Sequence, residues 1–225
     1  MIPLVLASAS PARLATLRAA GIDPVVMVAD VDEDQILADA LGHDPATPPA
    51  ELVQLLARAK AEALGGAAPP EALVLGCDSM LELDGELLGK PRDATDAARR
   101  IRQQAGRVGH LHTGHWLLAP TSLLSDAAEA TPVPGQRSVR RGEGAASCAE
   151  IRFGEMTDAE IQAYVASGEP LAVAGAFTID GLGGPFIDGI DGDHHGVVGL
   201  SLPVLRQLLR RLSLSVVDLW RPGVL

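Results

Sequence analysis

The run Ile2–Ala7 (IPLVLA) is aliphatic throughout and is cut off at once by Ser8, Ser10 and Pro11. A short apolar run without helical spacing reads as a buried strand. Ser10 is placed to cap a helix whose first position is Pro11, and that helix should stop at Gly21. A buried strand feeding a capped helix can bury its apolar surface only in layers, with helices packed on a sheet. Further along the chain, strands and helices first alternate and later pair locally. The predicted class is α/β with a mixed sheet.

The expected elements follow in order. DPVVMVAD is a second short strand, and residues 39–50 read as loop. A helix spans Pro49 to Leu64, with Leu52, Leu55, Leu56, Ala59 and Ala63 as its apolar face. ALVLGCDS is a third strand. LELDGELLG is a hairpin turning at Asp84-Gly85. Asp93 caps a helix that ends at Gly106, and HLHTGHWLLA is a strand. Residues 120–147, rich in Ser, Pro, Gly and charge, read as a mobile loop. SCAEIRFGEM is a strand, Thr157 and Glu160 form a capping box, and LSLPVLRQLLRRL is a terminal amphipathic helix. Three Phe, two Trp and one Tyr in 225 residues leave the packing to aliphatic side chains.

A formal charge of −11 argues against a general nucleic-acid binder, which needs a basic footprint. It leaves a small anionic ligand open. No run approaches the roughly 20 apolar residues of a membrane span, and the two cysteines, Cys77 and Cys148, share no metal-ligand spacing. A cytoplasmic protein is expected.

Several residues could carry chemistry. LASASPAR offers an anion site: helix N–H groups, the Ser8 and Ser10 hydroxyls, and the planar fork of Arg13. The plainer reading is an ordinary cap beside a surface arginine. Asp78, at the end of an apolar strand, suits a metal or a water to be deprotonated, or merely caps a turn. Lys90 follows a hairpin as a compact phosphate partner, or a solvated loop lysine. Lys60 lies on the border of its helix's buried face, able to lay its stem on the core and aim its charge into a cleft. Asp32, Glu33 and Asp34 are metal-side carboxylates or a solvated loop. Asp180 sits in a turn. DGIDGDHHG resembles a metal cluster but reads better as a polar hairpin turn. His110, His112 and His115 read as strand residues.

Seven blocks in fixed order (LASASPAR, VDED, LARAKA, GCDSMLELDGELLGKPRDATDA, TGHWLL, ASGEPLAVAGAFTIDGLGG and VVGLSLP) resemble the Maf family of nucleoside triphosphate pyrophosphatases, related in fold to the inosine triphosphate pyrophosphatases. The resemblance spans nearly the whole chain apart from 120–147 and the last dozen residues. It implies one two-lobed α/β domain over residues 1–225, with an elongated mixed sheet and a cleft between lobes. It implies hydrolysis between the α- and β-phosphates, dependence on Mg²⁺ or Mn²⁺, and often a homodimer. By position it implies that Asp78 is the catalytic aspartate and Glu33 a second acid, both candidate metal ligands. Ser8 and Arg13 fall in the phosphate-binding segment, and Lys60 and Lys90 match two lysines. Ala12, Ser79 and Asp180 stand where the family's base-selecting Arg, Thr and Gln usually stand, so the resemblance does not fix the base. The family's association with arrest of septum formation keeps a non-catalytic nucleotide-binding regulator as an alternative, beside a stepwise phosphatase.

Overall fold

The computed structural model describes residues 1–124 and 139–223. Its strands are β1 (Leu4–Ala7), β2 (Val25–Val26), β3 (Leu73–Leu83), β4 (Glu86–Leu88), β5 (Val108–Pro120), β6 (Arg140–Phe153) and β7 (Ile187–Gly192). They form one mixed sheet in the order β2-β1-β3-β5-β6-β7, with β4 paired to β3 off this path. β1 runs parallel to β2 and β3, and the other pairs are antiparallel. The helices are α1 (Pro11–Ala19), α2 (Glu33–His43), α3 (Pro49–Leu64), α4 (Ala94–Gln104), α5 (Asp158–Ala166), α6 (His194–Val198) and α7 (Leu202–Arg211). No described helix is long and apolar enough to cross a membrane.

Helices cover both faces of the sheet's parallel end. Leu4, Leu6, Leu73, Leu75 and Leu117 pack on α7 through Leu205, Leu208 and Leu209. Val5, Val74 and Leu118 pack on Ala61 and Leu64 of α3. α3 lies very close to the sheet because Gly76 and Gly114 leave it room. A Cβ on Gly76 would come within 2.0 Å of the Ala57 carbonyl oxygen, and one on Gly114 within 2.2 Å of that of Val53.

One detail of the pairing creates the site. β1 and β4 both lie on the edge of β3 opposite β5. β1 pairs with Leu73–Gly76, and β4 pairs with Leu81–Leu83. Between them Cys77–Met80 have no strand partner on that edge. The segment leaving β1 at Ser8 borders one end of this notch, and the segment leaving β4 at Gly89 borders the other.

Four expectations change. The loop expected over 39–50 shrinks, because Glu33–His43 form α2, capped by the Asp32 carboxylate accepting the Gln35 N–H. The buried face of α3 is Leu52, Val53, Leu56, Ala57, Ala61 and Leu64, while Leu55 is exposed. Close packing against glycines favours the alanines over the bulkier leucine. Of the expected mobile loop, Thr121–Leu123 form a 3-10 turn and 140–147 belong to β6; the part over 125–138 lies outside the described residues. The glycines that suggested a loop let the Trp116 indole lie over the strand: a Cβ on Gly142 or Gly144 would collide with it. Finally, DGIDGDHHG is no hairpin turn. It is the end of β7 followed by α6, whose cap Asp193 accepts the His195 and Gly196 N–H groups.

Candidate active site

β3 carries two neighbouring polar side chains to opposite faces of the sheet at the notch. Asp78 points toward α3. There Lys60 Nζ donates to Asp78 Oδ1 at 2.5 Å and lies 2.8 Å from Glu33 Oε1, at the first residue of α2. The Lys60 and Asp78 side chains are 12% and 10% exposed, and Glu33 is 48% exposed. One ammonium thus links two carboxylates, the inner one shielded and the outer one open to solvent. Burial pushes the Asp78 carboxyl above its usual range, and the charges of Lys60 and then Arg13 only partly oppose this. The adjacent Cys77 is wholly buried and its thiol is pushed up to about 12, so it is no nucleophile at neutral pH.

On the other face, Arg13 is held on all sides. Its Nε donates to the Gly199 carbonyl at 2.8 Å, Nη1 to the Cys77 carbonyl at 2.9 Å and to Ser8 Oγ at 3.1 Å, and Nη2 to Ser79 Oγ at 3.2 Å. Four of its five N–H groups therefore serve the protein, and one of them satisfies a carbonyl in the notch that lacks a strand partner. Thr113 Oγ1 donates to the Gly196 carbonyl at 2.9 Å, so the 2.9 Å contact between Ser79 and Thr113 must be donated by Ser79. The chain runs Arg13 to Ser79 to Thr113 to Gly196 and ties α1, β3, β5 and α6 together. The Ser79 proton is committed to it.

Ser8 Oγ accepts from the Ser10 N–H and from Arg13, which leaves its own proton for a ligand. Ser10 Oγ caps α1 by accepting the Arg13 N–H. Lys90 is exposed and forms no ion pair among the described residues. β4 ends at Leu88, paired with Leu81, and Lys90 follows two residues beyond this last pair. The structure does not bring Asp180 to the Lys60–Asp78 pair. Asp180 lies instead on an open groove of about 340 Å³ with Ala15, Thr16 and Ala19 of α1 and His194 and His195 of α6. The Glu169 carboxylate holds that segment by accepting the Leu182 and Gly183 N–H groups and the Thr178 hydroxyl. Glu169, Thr113 and Gly199 escaped the sequence reading, since nothing in local spacing links them to the site.

The strand histidines behave as structural groups. His112 pairs with Glu82 at 2.9 Å. His115 is fully buried and accepts the Ser201 N–H on Nε2 at 2.8 Å, so its neutral proton sits on Nδ1. Burial, with the Arg13 charge adding to it, pulls its pKa down to about 4 from an ordinary 6.5. The folded protein therefore refuses a proton that the unfolded chain accepts. The stability due to neutral His115 is intact above pH 6.5 and is lost as pH falls toward 4, up to about 3 kcal/mol. Urea unfolding of wild type and His115→Gln across that range should show a shallower acid decline for the variant. Parallel curves would remove His115 from the account.

Fold and site together define a class: a mixed-sheet α/β protein that gathers acids, a lysine and a helix N-terminus at a gap in its sheet edge. A family model described as Maf-like protein matches residues 3–212, and the chain belongs to that family. A protein of Streptomyces avermitilis is 50% identical over 97% of this chain and 95% of its own. One of Streptomyces coelicolor is 51% identical over 98% and 95%, and one of Leifsonia xyli 51% identical over 98% of both. Each of the three is named nucleoside triphosphate pyrophosphatase.

Proposed function

We propose that this protein is a nucleoside triphosphate pyrophosphatase, cleaving the α–β phosphoanhydride to give a nucleoside monophosphate and pyrophosphate. The observation that carries this is the Lys60 bridge: one ammonium joining Asp78 and Glu33 beside a sheet gap bordered by the hydroxyl-rich start of α1. The name borne by the three relatives supports the same reading.

Asp78 and Glu33 are hard oxygen donors, and among the described residues no group of three His, Cys, Asp or Glu side chains is placed to hold a metal. Two carboxylates without a closed cage fit Mg²⁺ or Mn²⁺ arriving with a polyphosphate, since Mg²⁺ is commonly held by one or two carboxylates plus substrate phosphates and water. When bound, the ion supplies neutralisation of phosphate charge and acidifies water.

The chain's own groups do the rest. Asp78 accepts the proton of the attacking water, and its burial raises its basicity toward that task. Lys60 holds Asp78 in place and meets phosphate charge. The Ser8 and Ser10 hydroxyls and the N–H groups opening α1 cradle a phosphate. Lys90 takes the far phosphates, with no ion pair among the described residues to neutralise it first. Arg13 and Ser79 act by fixing the notch, with one Arg13 N–H left for the ligand. Asp180, an acceptor facing the groove along α1, reads an N–H donor edge of the base, as guanine presents.

Analogues test the cleavage position. A nucleoside triphosphate with a β,γ-methylene bridge should be hydrolysed, releasing methylenediphosphonate, while the α,β-methylene analogue should be inert. The reverse pattern would mean a stepwise phosphatase. Inertness of both, with tight binding, would mean a regulator without chemistry.

A further inference from the structure

The segment that carries Lys90 is strapped on both sides by one buried ion pair. Asp96 lies in the first turn of α4 with its side chain 3% exposed, and its Oδ2 is 2.8 Å from Arg100 Nη2, one turn on. Arg100 Nη1 donates to the Gly89 carbonyl at 2.9 Å, just before Lys90. Asp96 Oδ2 accepts the Arg92 N–H at 3.1 Å, two residues after Lys90. Pro91 between them is buried and lacks a free φ. A second tie reaches the same carbonyl: Gly89 also accepts the Gly175 N–H at 3.0 Å, and Gln104 of α4 donates to the Gly175 carbonyl.

A pair serving stability alone needs none of this reach. Among the described residues Arg100 Nε is buried without a partner, an uncompensated loss that a freely packed arginine would avoid. Asp96 already holds Arg99 at 2.7 Å, so its charge is met without Arg100. What Arg100 adds is the grip on Gly89.

We propose that Asp96 and Arg100 are positioning residues that fix the backbone around Lys90, so that its ammonium meets the far end of a triphosphate without a search through loop conformations. This rests on the reading of Lys90 given above. Holding a charged group in its working geometry lowers the ordering cost of binding.

The test is a double-mutant cycle on full-length protein, read by pyrophosphate release and by inhibition with nucleoside monophosphate. Arg100→Gln should raise the triphosphate KM about tenfold, with kcat and the monophosphate inhibition constant little changed. In a Lys90→Ala background the same substitution should add almost nothing, because the group it positions is gone. Equal losses in both backgrounds would overturn the strap and leave Lys90 intact as a ligand. Wild-type kinetics for Lys90→Ala would overturn the reading of Lys90 and the strap with it. Arg100→Lys, which keeps a charge beside Asp96, takes the place of Arg100→Gln in the cycle if the latter does not fold.

Discussion

Asp78→Asn should lower pyrophosphate release by about 10³-fold or more while the protein keeps its fold. The amide is nearly isosteric, so packing around β3 is preserved, but it cannot take a proton. Loss of a general base alone is worth about 10²–10⁴-fold. The substitution also removes one of the two carboxylates that Lys60 bridges, and with it half of the donor set proposed for a divalent ion. Stability should change little, because the buried carboxylate that burial penalises is exchanged for a neutral group. Turnover within a few-fold of wild type, in protein with an unchanged melting curve, would remove Asp78 from the chemistry.

The second large effect belongs to a residue with no side chain. Gly76→Ala should destabilise the fold by about 3 kcal/mol or more, the upper range for overpacking, because the new methyl meets the Ala57 carbonyl at 2.0 Å and the Ala61 nitrogen at 3.0 Å. Backbone atoms of a packed helix cannot swing aside as a flexible side chain can. α3 must lift from β3, and Lys60 rides on α3 while Asp78 rides on β3. Activity should therefore fall even at temperatures where the variant remains folded. At roughly 2–4 °C per kcal/mol for a chain of this size, the melting temperature should drop by about 6–12 °C. Gly42→Ala is the matched control: nothing lies within 4 Å of its would-be Cβ, and it sits inside α2. It should stabilise by about 0.4–1 kcal/mol. Equal effects of the two substitutions would show that α3 tolerates displacement and that the close approach does not set the site.

The readable parts of this chain are those governed by local chemistry. Ser10-Pro11 announces α1, and the Ser10 side chain does cap it. Asp84-Gly85 turns the β3–β4 hairpin with both residues at positive φ, 51° and 82°. Asp93 caps α4, and the Thr157–Glu160 capping box forms as expected. Lys60 was locatable because a lysine at the edge of an apolar helical stripe has one direction in which to extend. α2 escaped because none of its residues is buried, which leaves no apolar period to detect; Asp32 three residues before Gln35 was the available signal. β6 escaped because glycines needed to seat Trp116 look like loop glycines until the indole is in view.

Arg13 shows the limit most clearly. An arginine in the first turn of a helix after a strand offers a phosphate fork, and the anion-site reading was sound local chemistry. Apart from nearby Ser8, its side-chain partners, Gly199, Cys77 and Ser79, are 64 or more residues away in sequence. They exist only because β1 ends before β3 does and leaves a carbonyl at the notch without a strand to satisfy it. No window of the sequence contains that fact.

The most direct measurement is ³¹P NMR of the wild-type reaction with a nucleoside triphosphate and Mg²⁺. Pyrophosphate and nucleoside monophosphate should appear in equal amounts from the first time point, with neither orthophosphate nor nucleoside diphosphate preceding them. Orthophosphate and diphosphate appearing first would contradict the assignment of Asp78, Glu33 and Lys60 to cleavage between the α- and β-phosphates.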